Sequence, residues 1–337
     1  MMLVDVELSY VWAGLIAFAV LAYVILDGFD LGTGILSPAL GGKSHRAHAM
    51  NTIAPVWDGN ETWLVLGGGG LFAVFPLAYA VIMPALYPPV IAMLLALIFR
   101  GVAFEFRHRD PRHELLWDIS FFGGSLVATL SQGLILGALV QGIDVEARAY
   151  AGGHWDWLTP FSLLTAVALT AAYATLGATW LVMKTTGYLR DRARWLAWIA
   201  GMGTLALVGM VSLATPFLDP LYLDRWFTRP NIYFSLWVPL AILAAAAIFV
   251  IGMRHDRDSW PFLATIAVFV LSFIGLGISF FPYMVPHAIT IPDAAAPDSS
   301  LWFLLAGALV LIPMILGYTA YAYWVFRGKI GPDEGYH

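Results

Sequence analysis

Cysteine is absent from all 337 residues. Disulfides, thiolate metal sites and cysteine nucleophiles are excluded together. Charge is scarce as well: Asp, Glu, Lys and Arg make up 12% of the chain, about half the ~25% of a soluble domain. No polar stretch is long enough for an extramembrane domain, a low-complexity tract or a linker, and no internal repeat is visible. Walker and Gly-x-Ser-x-Gly elements are missing, so no catalytic apparatus is recognisable. Histidine is present but kept away from apolar runs. His45, His48, His108, His113, His154, His255 and His337 fall in loops or tails, and His287 sits near a span end. No His-x-x-x-His pattern occurs and no histidine lies mid-span, so neither a metal site nor bis-histidine haem ligation is expected. The 11 methionines read as packing. Nucleic acid is not expected as a partner.

What fills the chain is apolar. Hydrophobic residues make up 60% and the mean hydropathy is +0.79. The opening ten residues carry Asp5 and Glu7 where a signal peptide has basic residues, so the first apolar run is expected to remain as a span. At roughly 20 apolar residues per span, about nine transmembrane helices are expected. They lie near 8–36, 53–75, 79–105, 115–140, 158–184, 195–217, 231–253, 260–282 and 300–326. Only Phe75-Pro76-Leu77-Ala78-Tyr79 separates the second from the third, and Pro84 and Pro88-Pro89 are expected to distort the third. Gly67 to Gly70 read as a packing surface. The fold class is therefore all-α and polytopic. Thirteen of the 17 Lys and Arg residues fall in alternate loops and the C-terminal tail, and only Arg148, Arg225 and Arg229 in the others. The positive-inside rule then predicts the N-terminus outside and the C-terminus in the cytoplasm.

The remaining charges concentrate in the first four spans. Chain direction brings Asp27, Asp30, Asp58, Glu61, Arg100, Glu105 and Asp118 to one depth near the cytoplasmic side. Asp27 and Asp30 are three apart, as are Asp58 and Glu61, so each pair shares a helix face. A carboxylate inside a span costs several kcal/mol, on the order of 2.5–3.5 on insertion scales, and such groups commonly move protons or bind cations. Two readings compete: a hydrated proton inlet, or an ion-pair network that locks helices together. The structural reading is favoured for Asp30, Glu105 and Asp118 near helix ends. The functional one is favoured for Asp58 and Glu61, flanked by Trp57 and Trp63. Asp27 and Arg100 lie between. A proton- or cation-coupled secondary transporter is the alternative class, although such proteins tend to show repeats and a midplane site.

Four blocks carry a resemblance. Asp27-Gly-Phe-Asp30-Leu-Gly-Thr-Gly34, Pro55-Val-Trp57-Asp58-Gly-Asn60-Glu61-Thr-Trp63-Leu, Gly70-Leu-Phe-Ala-Val-Phe-Pro76 and Arg100-Gly-Val-Ala-Phe-Glu105-Phe-Arg107 occur in that order in the first third of the chain. They resemble subunit II of cytochrome bd-type quinol oxidases, and the short loops are similar to those of the cyanide-insensitive branch. The resemblance implies two four-helix bundles, here 1–140 with the polar cluster and 158–282, plus a peripheral helix at 300–326. It implies a heterodimer with a homologous subunit I that carries two b-type haems and one d-type haem, with none on this chain. It implies quinol oxidation, reduction of dioxygen to water, and protons drawn from the cytoplasm of a bacterial inner membrane. Some members hold a structural quinone on this subunit, and a small single-span accessory subunit is a further candidate partner. By the same resemblance Asp58 relays protons; the convergence of the polar groups at one depth adds Glu61 as a neighbouring acceptor and Asp27 and Arg100 as groups that tune the path. Asp30, Trp57, Asn60 and Glu105 form the supporting polar network.

Overall fold

The computed structural model describes residues 7–331. The chain is built from helices. The first, α1 (Leu8–Leu36), is followed by a short polar helix α2 (Lys43–Asn51), then α3 (Trp57–Val74), α4 (Pro76–Ala85), α5 (Tyr87–Arg109) and α6 (Glu114–Gln141). A hairpin, β1 (Val145–Glu146) with β2 (Ala149–Tyr150), leads to α7 (Pro160–Lys184) and α8 (Gly187–Ala214). After α9 (Pro220–Phe227) and α10 (Ile232–Ser235) come α11 (Trp237–Arg254) and α12 (Trp260–Phe280). A second hairpin, β3 (Tyr283–Val285) with β4 (Ile289–Thr290), and the short α13 (Ile291–Ala294) precede α14 (Asp298–Val325). Among the described residues eight helices are long and apolar enough to cross a membrane, or nine if the bent pair α3–α4 counts as one span.

That pair corrects the expected third span at 79–105. The chain turns by 119° between α3 and α4, and α5 begins only at Tyr87. Pro76 opens α4 with no N–H to give, and Phe75 before it is held out of helical geometry (φ −123°, ψ 62°). Leu86 breaks the chain again ahead of Pro88 and Pro89. Pro76 and the Pro88-Pro89 pair thus bound a separate short helix where a distortion within one span was expected. Helix α8 also starts at Gly187, earlier than the expected 195, because the polar turn Arg190 to Arg194 is helical.

Packing follows small residues. At the crossing of α1 and α7, Gly32 and Gly177 meet backbone to backbone, and a Cβ on either would collide with the other helix. Gly67 and Gly70 of α3 seat on Val20 and Ile16 of α1, while Gly68 and Gly69 face open space. Helix α1 therefore lies central, against α3, α6 and α7, while α7 continues to α8 and α12. At one end the core centres on Phe29, Trp180 and Phe262, with Phe29 and Trp180 stacked at 4.2 Å. At the other it gathers Trp12, Phe75, Val285 and Leu301. Helix α14 lies almost unburied along the outside. It is pinned near its start by Trp12, whose indole N–H donates to the Leu301 carbonyl at 3.1 Å.

The chain following α14 is pinned more firmly. The Lys184 ammonium donates to the carbonyls of Phe326 (2.6 Å) and Gly328 (3.3 Å), completing the open end of α14. The Ile330 N–H donates to the Lys184 carbonyl at 2.8 Å, and Lys329 pairs with Asp258 at 2.6 Å. His48 of α2 meets the Ile330 carbonyl at 3.0 Å.

Candidate functional site

Asp27 and Arg100 form the centre of the site. Arg100 of α5 donates from Nη1 to Asp27 Oδ1 of α1 at 2.5 Å, with both side chains fully buried. The second guanidinium arm, Nη2, approaches Glu61 Oε2 of α3 at 3.6 Å. One cation therefore joins three helices. Trp57 covers it, with its ring 5.8 Å from the guanidinium carbon and stacked on Phe104 at 4.9 Å. Helix geometry explains the convergence. Antiparallel neighbours of similar length bring the late part of α1, the start of α3 and the late part of α5 to the same end.

Beside this centre lies a second buried carboxylate. Asp30 is fully buried and accepts from Asn60 Nδ2 at 2.7 Å. The same amide donates to the Leu26 carbonyl at 3.2 Å, and its oxygen accepts from the Tyr323 hydroxyl of α14 at 2.8 Å. Asp30 is thus interior, where its place near the end of α1 suggested an interfacial group. Several polar atoms of the centre have no protein partner: Asp27 Oδ2, Asp30 Oδ1, Arg100 Nε and Trp63 Nε1.

The other expected residues separate from this centre. Asp58 stands exposed in the first turn of α3, where its carboxylate complements the helix N-terminus. Its carbonyl accepts from Thr62 at 3.0 Å. Glu61, one turn further, is 24% exposed and lies between Asp58 and Arg100. Glu105 points outward and pairs with Arg109 at 3.3 Å. Asp118 belongs to a second ion-pair cluster, held by Arg46 of α2 at 2.8 Å and Arg107 at 2.7 Å. Glu114 joins it through Arg107 and Lys43, both at 2.8 Å. That cluster ties α2 across the ends of α5 and α6.

Four participants were not anticipated. Tyr323 comes from the last described helix, and nothing local distinguishes it from its aromatic neighbours. Gln132 of α6 links two tyrosines: its Nε2 donates to Tyr23 and its Oε1 accepts from Tyr173, each at 2.8 Å. Tyr23 stands one turn before Asp27 on the same face of α1, so this trio continues the polar interior from α1 into α7. A side-chain amide in an apolar run was the available signal for Gln132.

Among the described residues no group of three or more His, Asp or Glu side chains could hold a metal ion. His45, His48, His113, His154, His255 and His287 lie in the short α2 or in turns and loops between the long helices. His337 lies outside the described residues.

Known proteins align with this chain over nearly its whole length. The family model described as cytochrome bd terminal oxidase subunit II matches residues 8–326. The cytochrome bd-I ubiquinol oxidase subunit 2 of Escherichia coli K12 is 30% identical, over 98% of both chains. The cytochrome bd ubiquinol oxidase subunit 2 of Bacillus subtilis is 32% identical, over 97% of this chain and 98% of its own. In three dimensions the fold is similar to a chain of the bd oxidase from Geobacillus thermodenitrificans. The TM-score is 0.75 at 20% identity, over 95% of this chain and 99% of that one.

Proposed function

This chain belongs to the cytochrome bd terminal oxidase subunit II family, and on that premise we propose that it carries no haem itself and admits protons to the oxygen-reducing centre of its partner. The chain is an integral membrane protein and part of a quinol oxidase complex with a subunit I, and haem is the cofactor of that complex. When bound, haem would relay the electrons of quinol and supply the oxygen-binding iron. Axial ligation calls for a histidine, methionine or comparable donor facing a bundle interior. The described histidines at helix ends and in loops do not fit that role. As the family resemblance implies, the two b-type haems and the d-type haem belong to subunit I.

Reduction of one dioxygen to two waters takes four electrons and four protons, the electrons coming from two quinols. The proton route has two parts on this chain. Asp58 is the exposed end, facing outward from α3. Glu61 follows one turn on, and beyond it lies the buried Asp27–Arg100 pair. A lone guanidinium stands against three carboxyls here, counting Asp27, Asp30 and Glu61. Surplus negative charge in a low-dielectric interior is relieved by water or a proton, and the unpartnered Asp27 Oδ2 and Asp30 Oδ1 can accept either. Asp58 and Glu61 exchange the proton, Arg100 holds the Asp27 carboxyl in place, and Trp57 shields the cation. Asp30, Asn60 and Glu105 support the network. The carrying observation is the Asp27–Arg100–Glu61 alignment ending beside an exposed Asp58.

The same reading places the N-terminus outside and the C-terminus in the cytoplasm of a bacterial inner membrane. It also gives subunit II a supporting role for its partner, with quinol as the shared substrate. A structural quinone and a small accessory subunit remain with the family resemblance.

The test is Asp58→Asn in the assembled complex. With haem loading intact by visible spectrum, oxygen consumption is expected to fall roughly a hundredfold, the lower range for loss of a positioned proton carrier. Unchanged turnover in a fully haem-loaded complex removes the relay role. Haem loss in Asp58→Asn and Glu61→Gln alike would instead mark these carboxyls as assembly determinants.

A further inference from the structure

The turn between α11 and α12 forms a concave surface that contains none of the carboxylates of the proton route. Ile251, His255, Asp256, Arg257 and Trp260 line an open groove of about 410 Å³. Helix α11 has 18 residues, about 27 Å at 1.5 Å per residue. That nearly matches the ~30 Å hydrocarbon layer. Ile251, three residues before its end, therefore lies at the edge of the acyl region, and Arg257 lies beyond it at headgroup level. Trp260 is 43% exposed beside them, the amphipathic ring expected at that boundary.

The groove is built rather than draped. The Arg257 N–H donates to the Gly252 carbonyl at 3.1 Å, and the Trp260 N–H donates to the Arg257 carbonyl at 3.1 Å. His255 Nδ1 donates to the Ile251 carbonyl at 3.0 Å. Gly252 lets the start of α12 close against α11, for a Cβ there would lie 2.7 Å from that of Trp260.

Its charges are unevenly used. Asp256 is the only carboxylate in the lining, and it is already held by Arg194 at 2.5 Å and Arg190 at 3.5 Å. Asp258, next to the groove, is held by Arg190 and Lys329, each at 2.6 Å. Arg257 and Arg254 are exposed and form no ion pair among the described residues. The surface therefore offers free guanidinium groups above an apolar wall. Basic pockets at helix ends are where anionic lipid headgroups bind.

We propose that this groove holds one anionic phospholipid. Arg257 meets the phosphodiester, Arg254 adds attraction beside it, Trp260 lies at the glycerol level, and Ile251 meets the first methylenes. This inference is independent of the proton route.

The experiment is native mass spectrometry of the purified complex, titrated with phosphatidylglycerol or phosphatidylcholine. The wild type is expected to retain phosphatidylglycerol in preference to phosphatidylcholine. Arg257→Gln is expected to weaken that retention about fivefold, and Arg254→Gln with Arg257→Gln roughly thirtyfold, at about 1 kcal/mol per cation near the surface. Arg148→Gln, in the β1–β2 hairpin at the opposite end, keeps wild-type retention. An unaltered haem spectrum shows that each variant is assembled. Equal retention in Arg257→Gln, no preference between the two lipids, or displacement by inorganic phosphate alone would each overturn the proposal.

Discussion

At the scale of single residues, the Asp27–Arg100 pair separates two roles that usually coincide. Removing one partner leaves a buried charge without its counter-ion, a loss of about 3–5 kcal/mol. Asp27→Leu or Arg100→Met alone is expected to abolish accumulation of the complex, read as haem absorbance per unit membrane protein. Replacing both by apolar residues of similar volume removes the two paired charges together and leaves neither buried without its partner, so the double variant is expected to assemble. If the pair belongs to the proton route, that double variant assembles with haem but consumes oxygen slowly. Full activity would make the pair a tie between helices only. Part of this was legible in the sequence. Direction of travel along successive spans is enough to bring Asp27, Glu61 and Arg100 to one level. Asp118 shows where that reasoning stops. It shares the level, but Arg46 and Arg107 take it, and a partner such as Arg46, on the short polar helix α2 between spans, has no apolar period to betray it.

At the scale of elements, apolar length was an adequate guide to the long helices, because a span must satisfy its own backbone hydrogen bonds. It failed between Val74 and Tyr87. There the composition stays apolar while prolines dictate the breaks, so hydropathy sees one span and backbone chemistry makes two pieces. The α1–α7 crossing supplies a prediction at this scale. Gly177→Val places a branched side chain against the backbone of Gly32. The variant is expected to fail in assembly, whereas Gly69→Ala on the open face of α3 is expected to behave as wild type in the same haem assay. The strap after α14 supplies another. Burial pushes the Asp258 carboxyl up, but the hydrogen bonds from Arg190 and Lys329 outweigh it and hold the group below the usual carboxylate value. Its contribution is therefore complete above the ordinary value near 3.8 and is lost as pH falls through the lower folded value. From neutral pH down to about 4 the strap is expected to stay in place. Asp258→Asn removes the tie at any pH, and hydrogen exchange at the Ile330 amide is expected to quicken at pH 7. Unchanged protection there would show that Lys184 and His48 hold the strap unaided.

At the scale of the whole molecule, orientation is the property most directly open to measurement. Fluorescent-protein fusions following residue 331 are expected to be bright, and fusions in the hairpin at Arg148 dark, because the positive-inside imbalance puts the two on opposite faces. The reverse pattern would invert the route assigned to Asp58. The all-α class and the approximate number of long helices could be anticipated from composition. The tie between α3 and α14 could not, since it depends on one hydroxyl meeting one amide across the intervening fold.

That tie bears on biogenesis. Asn60 and Tyr323 are 263 residues apart, so a ribosome makes the amide long before the phenol that will meet it. Until α14 is laid down, the polar pocket around Asp30 lacks one wall and one hydrogen bond. The order of synthesis makes completion of the pocket a late event, and a chain released early would carry its costliest interior groups unfinished, in the form that membrane quality control removes.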